Sequence, residues 1–203
     1  MKIGIAGPGE SGKDTAAEFL AFITHTKYTA GTSRWARHLV YERMTEAGHA
    51  YADADACWND RRNHRSLWAA IIGEYNHHDP VSLYRDCLAE QNYLTGIRFL
   101  HEFRAIQRAG LCDLWIYVDR QGCNDSTCEI RPEHCDLTIH NYGTLEELHG
   151  KLRRLAACLR IEPKEKPQTE LNPLRFRKDE FGMYCWHAGN VDLMSGSPPA
   201  STP

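Results

Sequence analysis

The chain has no long apolar run, no excess of positive charge and no regular cysteine spacing, and each absence removes a class of protein. No stretch of the 203 residues approaches the about 20 consecutive apolar residues that a membrane-spanning helix needs. Met1-Lys2 runs straight into a strand-like segment with none of the parts of an export leader, so a soluble protein of the cytoplasm is expected. With 24 basic and 27 acidic side chains the formal charge is −3, which excludes the global basic field of an indiscriminate nucleic-acid binder. Contact with nucleic acid would have to be local. Eight cysteines are present, but their irregular intervals point to reduced thiols rather than a disulfide framework. Internal repeats are also lacking.

What is present is a sizeable apolar complement, 42% of residues, enough for one proper core. Short apolar segments at 2–6, 28–30, 93–97, 114–118 and 137–139 alternate with helix-like stretches, which predicts an α/β fold with a parallel sheet. One helix is expected from an N-cap at Ser33 through Trp35, Leu39, Val40 and Met44, and another through Leu67, Trp68, Ile71, Ile72 and Tyr75. Asp79-Pro80 reads as N-cap and first turn of a third. Phe99 to Ala109 reads as a helix stopped by Gly110, and Thr144-x-x-Glu147 has the capping-box spacing of a last one. The globular domain is placed at residues 1–160, with an extension at 161–203 in which Pro163, Pro167 and Pro173 interrupt a charged stretch. Its Gly/Ser/Pro-rich end, from Ser195, is expected to be disordered.

The stretch Gly7-Pro8-Gly9-Glu10-Ser11-Gly12-Lys13-Asp14-Thr15 follows the first strand and precedes the first helix. Gly7-x4-Gly12-Lys13 is the core of the Walker A pattern. Glycines let successive N–H groups turn toward phosphate oxygens, the helix offers its N-terminus, and the lysine reaches the β- and γ-phosphates. Gly7, Gly9, Ser11, Gly12, Lys13 and Thr15 are therefore expected to bind ATP. Asp14 stands where Ser or Thr usually holds Mg²⁺; a carboxylate can hold that ion directly or through water.

With Gly12-Lys13-Asp14-Thr15, Tyr93-Leu94-Thr95-Gly96-Ile97-Arg98, Trp115-Ile116-Tyr117-Val118-Asp119-Arg120 and Cys135-Asp136-Leu137-Thr138-Ile139-His140-Asn141-Tyr142-Gly143, residues 1–160 resemble the bacteriophage deoxynucleoside monophosphate kinases. The phage 5-hydroxymethyluracil DNA kinases, of the same thymidylate-kinase-like class, look similar. The resemblance implies a P-loop kinase fold, a five-stranded parallel sheet flanked by helices with a short lid, in the cytoplasm of a host cell. It implies ATP on the loop with Mg²⁺, and an acceptor across the carboxyl ends of the strands.

Arg98 would grip the acceptor phosphate, or be a surface arginine at a helix start. Arg120 and Arg131 would stabilise charge on the moving phosphoryl group from the lid side, with Lys13, Arg98 and Arg120 as the catalytic set; Asp119 reads as the partner of Arg120. Asn141-Tyr142-Gly143 would be the turn against the adenine, or a plain Asn-x-Gly turn. Arg34, Arg37, Arg62 and Arg65, near Trp35, Trp58 and Trp68, fall in the acceptor region and would bind substrate. Cys123, Cys128, His134 and Cys135 lack the usual Cys-x2-Cys spacing, so zinc is not the preferred reading there. Leu174-Arg175-Phe176-Arg177-Lys178 is a weak nucleic-acid-contact signal.

Two acceptors stay open. Only 16 residues, 121–136, separate Arg120 from the strand at Leu137, room for a short lid that suits a polymeric acceptor. The narrow preference is the 5-hydroxymethyl group of 5-hydroxymethyluracil in phage DNA; the alternative is a free deoxynucleoside monophosphate, clamped by arginines and needing no general base. A third reading, an ATP-hydrolysing or ATP-sensing regulator, is disfavoured by the kinase-like Arg98 and Arg120, the latter standing beside Asp119 at the end of the apolar run 114–118.

Overall fold

A computed structural model describes residues 1–123, 125–159, 175–178 and 184–187. By contacts the chain divides into two units, Met1–Lys164 and Glu165–Pro203. The first is an α/β unit around a four-stranded, all-parallel sheet. Its strands are β1 (Ile3–Ala6), β2 (Tyr93–Thr95), β3 (Leu114–Asp119) and β4 (Leu137–His140), in the order β2-β1-β3-β4. Ile3 pairs with Tyr93 on one side and Leu114 on the other, and Ile116 pairs with Leu137. The helices are α1 (Lys13–Ile23), α2 (Thr32–Trp35), α3 (Arg37–Glu46), α4 (Ala54–Asp60), α5 (Arg65–Tyr75), α6 (Ser82–Glu90), α7 (Leu100–Arg108) and α8 (Leu145–Cys158).

Alternation along the strands makes two cores. Ile3, Ile5, Ile116 and Val118 meet Phe19 and Leu20 of α1 and Leu148 and Leu152 of α8; Leu94, Trp115 and Tyr117 meet Leu83, Phe103 and Ile106 on the opposite face. Burial on both faces is what a parallel sheet requires. Val40, Met44, Cys57, Trp68 and Ile71 form a third core that ties α3, α4 and α5 into a small helical lobe. Each such large side chain contributes about 1.5–3 kcal/mol by leaving water. From β1 the chain crosses to β2 on one side and then to β3 on the other, so the sheet's switch point lies at the carboxyl end of β1, where residues 7–12 emerge.

Among the described residues the parallel sheet has four strands rather than the expected five, because residues 28–30 pair with a side chain instead of a strand. Gln91, 1% exposed, accepts from Thr29 N at 3.0 Å and Ala30 N at 3.3 Å through Oε1. Its Nε2 donates to Ala30 O at 3.0 Å and Tyr93 O at 2.8 Å. One amide thus replaces a ladder.

The helix expected from an N-cap at Ser33 has its N-cap two residues earlier, at Gly31, and breaks at Ala36 into α2 and α3. Trp35 and Ala36 pack into the sheet core whereas Val40 and Met44 pack into the lobe, and one straight helix does not serve both. The Asp79-Pro80 start also moves. α6 begins at Ser82, whose next N–H, Leu83, is taken by Asn76 Oδ1 at 3.0 Å, while Asp79 accepts from Val81 N and pairs with Arg85. α7 ends before Gly110, which has φ +62°. At α8 both capping-box bonds form, Glu147 N to Thr144 Oγ1 at 3.2 Å and Thr144 N to Glu147 Oε2 at 2.9 Å.

In the second unit β5 (Arg175–Lys178) and β6 (Tyr184–His187) pair antiparallel, Arg175 opposite His187. The basic-aromatic stretch expected to touch nucleic acid is β5 apart from Leu174, which lies outside the described residues, as does the end from Ser195 that was expected to be disordered. Among the described residues no helix is long and apolar enough to cross a membrane.

Candidate functional site

Residues 7–12 wrap in front of α1 because the backbone there takes forms that few side chains allow. Gly7 has φ +146°, and a Cβ on it would lie 2.5 Å from Val118 O; Gly12 has φ +93°, and its Cβ would lie 2.6 Å from Asn141 Nδ2. Glu10 between them is also left-handed, at φ +64°. Such alternation turns N–H groups into a concave nest. The loop's carbonyls are drawn off by side chains: Asn141 Nδ2 donates to Ser11 O at 2.9 Å, Arg120 Nη1 to Glu10 O at 3.4 Å and Lys13 Nζ to Pro8 O at 3.3 Å. Ser11 Oγ is buried with no hydrogen-bond partner among the described residues, and α1 starts without a side-chain cap, leaving its first N–H groups, from Lys13 to Thr15, without intrahelical acceptors. An orphaned hydroxyl, uncapped N–H groups and a lysine across the loop fit the polyphosphate of ATP.

Asp14 stands at the head of α1. Its Oδ1 accepts from Tyr28 OH at 2.8 Å and Thr95 Oγ1 at 2.6 Å, and its Oδ2 is 4.0 Å from Lys13 Nζ. One carboxylate with neighbouring hydroxyls suits the sparse protein ligation of Mg²⁺. One turn along α1, Glu18 has its pKa pushed up to about 7, first by burial and then by Asp14, with Arg34 pulling it back.

That shift has a stability consequence. Glu18 binds its proton more tightly folded, near 7, than at its ordinary 4.5, so its contribution is fully present below the lower value and is lost as pH rises through the upper one. Glu18→Gln is expected to melt about 2–4 °C above the wild type at pH 8 and level with it near pH 4.5; calorimetric melts at the two pH values check this.

Arg98 leaves β2 and meets the 123–131 connection. Its Nη1 donates to Asp125 Oδ2 at 3.0 Å and to Thr127 Oγ1 at 2.6 Å. The same Asp125 oxygen accepts from Gly9 N at 2.9 Å. Sequence reasoning had no signal for Asp125, which lies among cysteines and has its partners 27 and 116 residues away. Asp119 does not pair with Arg120 as expected, because successive strand residues point apart; it takes His140 Nδ1 at 3.2 Å and Tyr142 OH. Arg131 Nη1 donates to Cys128 O at 3.1 Å. Asn141 braces the loop carbonyl, and the exposed ring beside it is Tyr142.

The arginines expected to bind substrate divide. Arg37 forms an ion pair with Asp55 at 2.9 Å. The charges of Arg34, Arg62, Arg65 and Arg98 act on Arg61, whose guanidinium lies 3.7 Å from the centre of the Trp58 ring. Burial first, then those four charges, hold the pKa of Arg61 below its usual range. Arg61 belongs with the group, and its spacing of three from Trp58 is the signal that marks it. The tryptophans are framework: Trp35 Nε1 donates to Glu90, and Trp58 packs edge-on to the buried Trp68. Cys128 is buried in the sheet core and His134 Nδ1 accepts from Arg131 N. Burial pushes the Cys135 thiol up to about 12, and among the described residues no three His, Cys, Asp or Glu side chains group as a metal site.

No protein-family model matches the chain, and no curated protein is similar to it at a significant level.

Proposed function

We propose that the chain is an ATP-dependent phosphotransferase of phage DNA metabolism, with the P-loop kinase fold, that phosphorylates the 5-hydroxymethyl group of 5-hydroxymethyluracil in DNA. The observation that carries the reading is the single carboxylate oxygen held at once by Gly9 N, in the loop, and by Arg98. An anion can be shared by the donor loop and an arginine on the acceptor side, which is the arrangement phosphoryl transfer needs. ATP would supply the phosphoryl group, and Asp14, with Tyr28 and Thr95 on its other oxygen, would hold Mg²⁺, which would supply neutralising charge. Lys13 and the loop N–H groups hold the donor phosphates, Arg98 orients the acceptor, and Arg120 fixes the loop by its bond to Glu10 O.

Arg34, Arg61, Arg62 and Arg65 carry positive charge onward from Arg98, more than one mononucleotide phosphate uses, and this supports a DNA strand. The second reading, a deoxynucleoside monophosphate kinase, is favoured by a different fact. Two carboxylates beside the loop, Asp14 and Asp125, are already hydrogen-bonded, and a phosphate acceptor needs no base.

Transfer of labelled γ-phosphate from ATP to hydroxymethyluracil DNA and, side by side, to free deoxynucleoside monophosphates tests the reading. Label in DNA, released as a base-linked phosphomethyl nucleotide, supports the first; label only in diphosphates supports the second; label in neither removes both. Arg98→Ala is expected to raise the acceptor KM about 30-fold, with a smaller loss in kcat. Steady-state kinetics with acceptor varied at saturating ATP measure that split.

A further inference from the structure

We propose that Asp125 is an internal counter-anion: its carboxylate occupies the Gly9 N–H where a donor phosphate oxygen would sit, and it holds Arg98 through the same oxygen until nucleotide displaces it. The inference rests on the kinase reading above.

The carboxylate is held from several sides. Oδ2 accepts from Gly9 N at 2.9 Å and Arg98 Nη1 at 3.0 Å; Oδ1 accepts from Thr127 N at 3.1 Å and Thr127 Oγ1 at 2.6 Å. Arg98 Nη1 also donates to Thr127 Oγ1 at 2.6 Å, and the side chain of Asp125 is 16% exposed. Glu129 N reaches Arg98 O at 2.8 Å, so the connection is fastened to the arginine by backbone as well. The bonds from Thr127, then from Gly9, and the Arg98 charge keep Asp125 ionised well below the usual carboxylate range.

A backbone N–H has one hydrogen, so Gly9 serves the carboxylate or a phosphate oxygen in turn. The phosphate carries more charge, is bound by Lys13 as well, and repels a carboxylate left beside it in a half-buried site. Donor binding therefore expels Asp125. Arg98 loses its ion-pair partner in the same event and becomes available to the acceptor. Donor and acceptor are thereby coupled: nucleotide tightens acceptor binding, and by linkage acceptor tightens nucleotide binding by the same factor.

Calorimetric titration of the full chain with magnesium and the β,γ-imido analogue of ATP, which binds without transfer, is the test. It is run with and without two acceptor probes, a short single strand carrying one 5-hydroxymethyluracil and thymidine monophosphate. Asp125→Asn is expected to bind the analogue about tenfold tighter than the wild type, and the enhancement of acceptor affinity by the analogue, about fivefold or more in the wild type, to fall to within about twofold of none. Thr127→Val, which removes the hydroxyl orienting the carboxylate, shifts both quantities the same way by less. Glu133→Gln removes an exposed charge from the same connection and is expected to leave both within about twofold. Equal or weaker analogue binding in Asp125→Asn would overturn the inference while the kinase reading stands. Absence of saturable analogue binding in the wild type would overturn both.

Discussion

Lys13→Ala is expected to lose phosphoryl transfer by a factor of about 10³ or more while melting within about 2 °C of the wild type. The two halves follow from the position of one side chain. Lys13 makes a single hydrogen bond, to Pro8 O at 3.3 Å, and a distant 4.0 Å contact with the exposed Asp14 carboxylate, so its removal leaves no buried group unpaired and opens no cavity in either sheet core. The loop stays in place through Asn141, Arg120 and the glycines. The ammonium, by contrast, lies over the carbonyl of Pro8 inside the loop, where it meets charge that develops on a moving phosphoryl group. Rate measurement by transfer of labelled γ-phosphate, with a thermal melt of the same preparation, checks both halves. Residual transfer above a few per cent would take the role away from Lys13.

Gln91→Leu is expected to destabilise the chain by about 3–5 kcal/mol, the largest effect of any single polar side chain described above. Leucine nearly matches glutamine in volume, so the cost is polar. Thr29 N, Ala30 N, Ala30 O and Tyr93 O each lose a partner at a site 1% exposed. Four orphaned backbone groups cost about 1–3 kcal/mol each if nothing moves, and partial relaxation of residues 27–31 toward water brings the sum down to the stated range. Urea denaturation of wild type and variant gives the difference directly. A loss below about 1 kcal/mol would mean that the segment holds its course without the amide.

The Gln91 arrangement also explains why one of five strand candidates misled. Tyr28-Thr29-Ala30 carries the β-branched and aromatic residues of a strand, but pairing depends on what lies alongside, which composition does not encode. Three of the other four became strands because buried apolar residues on both faces leave the backbone no choice; the fourth, β4, is an edge strand held by its pairing to β3 and by the one buried residue Ile139. The loop at 7–13 was legible for a related reason: glycine at Gly7 and Gly12 is demanded locally by the backbone, so the requirement is written in the residues themselves. Asp125 was not legible. Its meaning comes from Gly9 and Arg98, which the fold brings together from distant parts of the chain. Asn141 was half legible, since its turn is local whereas its partner, Ser11, lies 130 residues away. The arginines, Arg61 included, could be found as a basic cluster, but not that Arg37 is spent on Asp55.

The side-chain ladder of Gln91 bears on how copies of the chain meet one another. A sheet margin with open N–H and C=O groups is a template for a second molecule. On the β2 side residues 27–31 close that margin, with Lys27 O taken by Asn92 N at 2.7 Å and both polar groups of Ala30 taken by the amide. On the β4 side the margin is four residues long, and Lys151 Nζ donates to the carbonyl of His140 at its end, a charged guard of the kind that discourages strand addition. A leucine at position 91 would unseal the first margin, and the same substitution that loosens one molecule would give it a surface on which a neighbour's strand can grow.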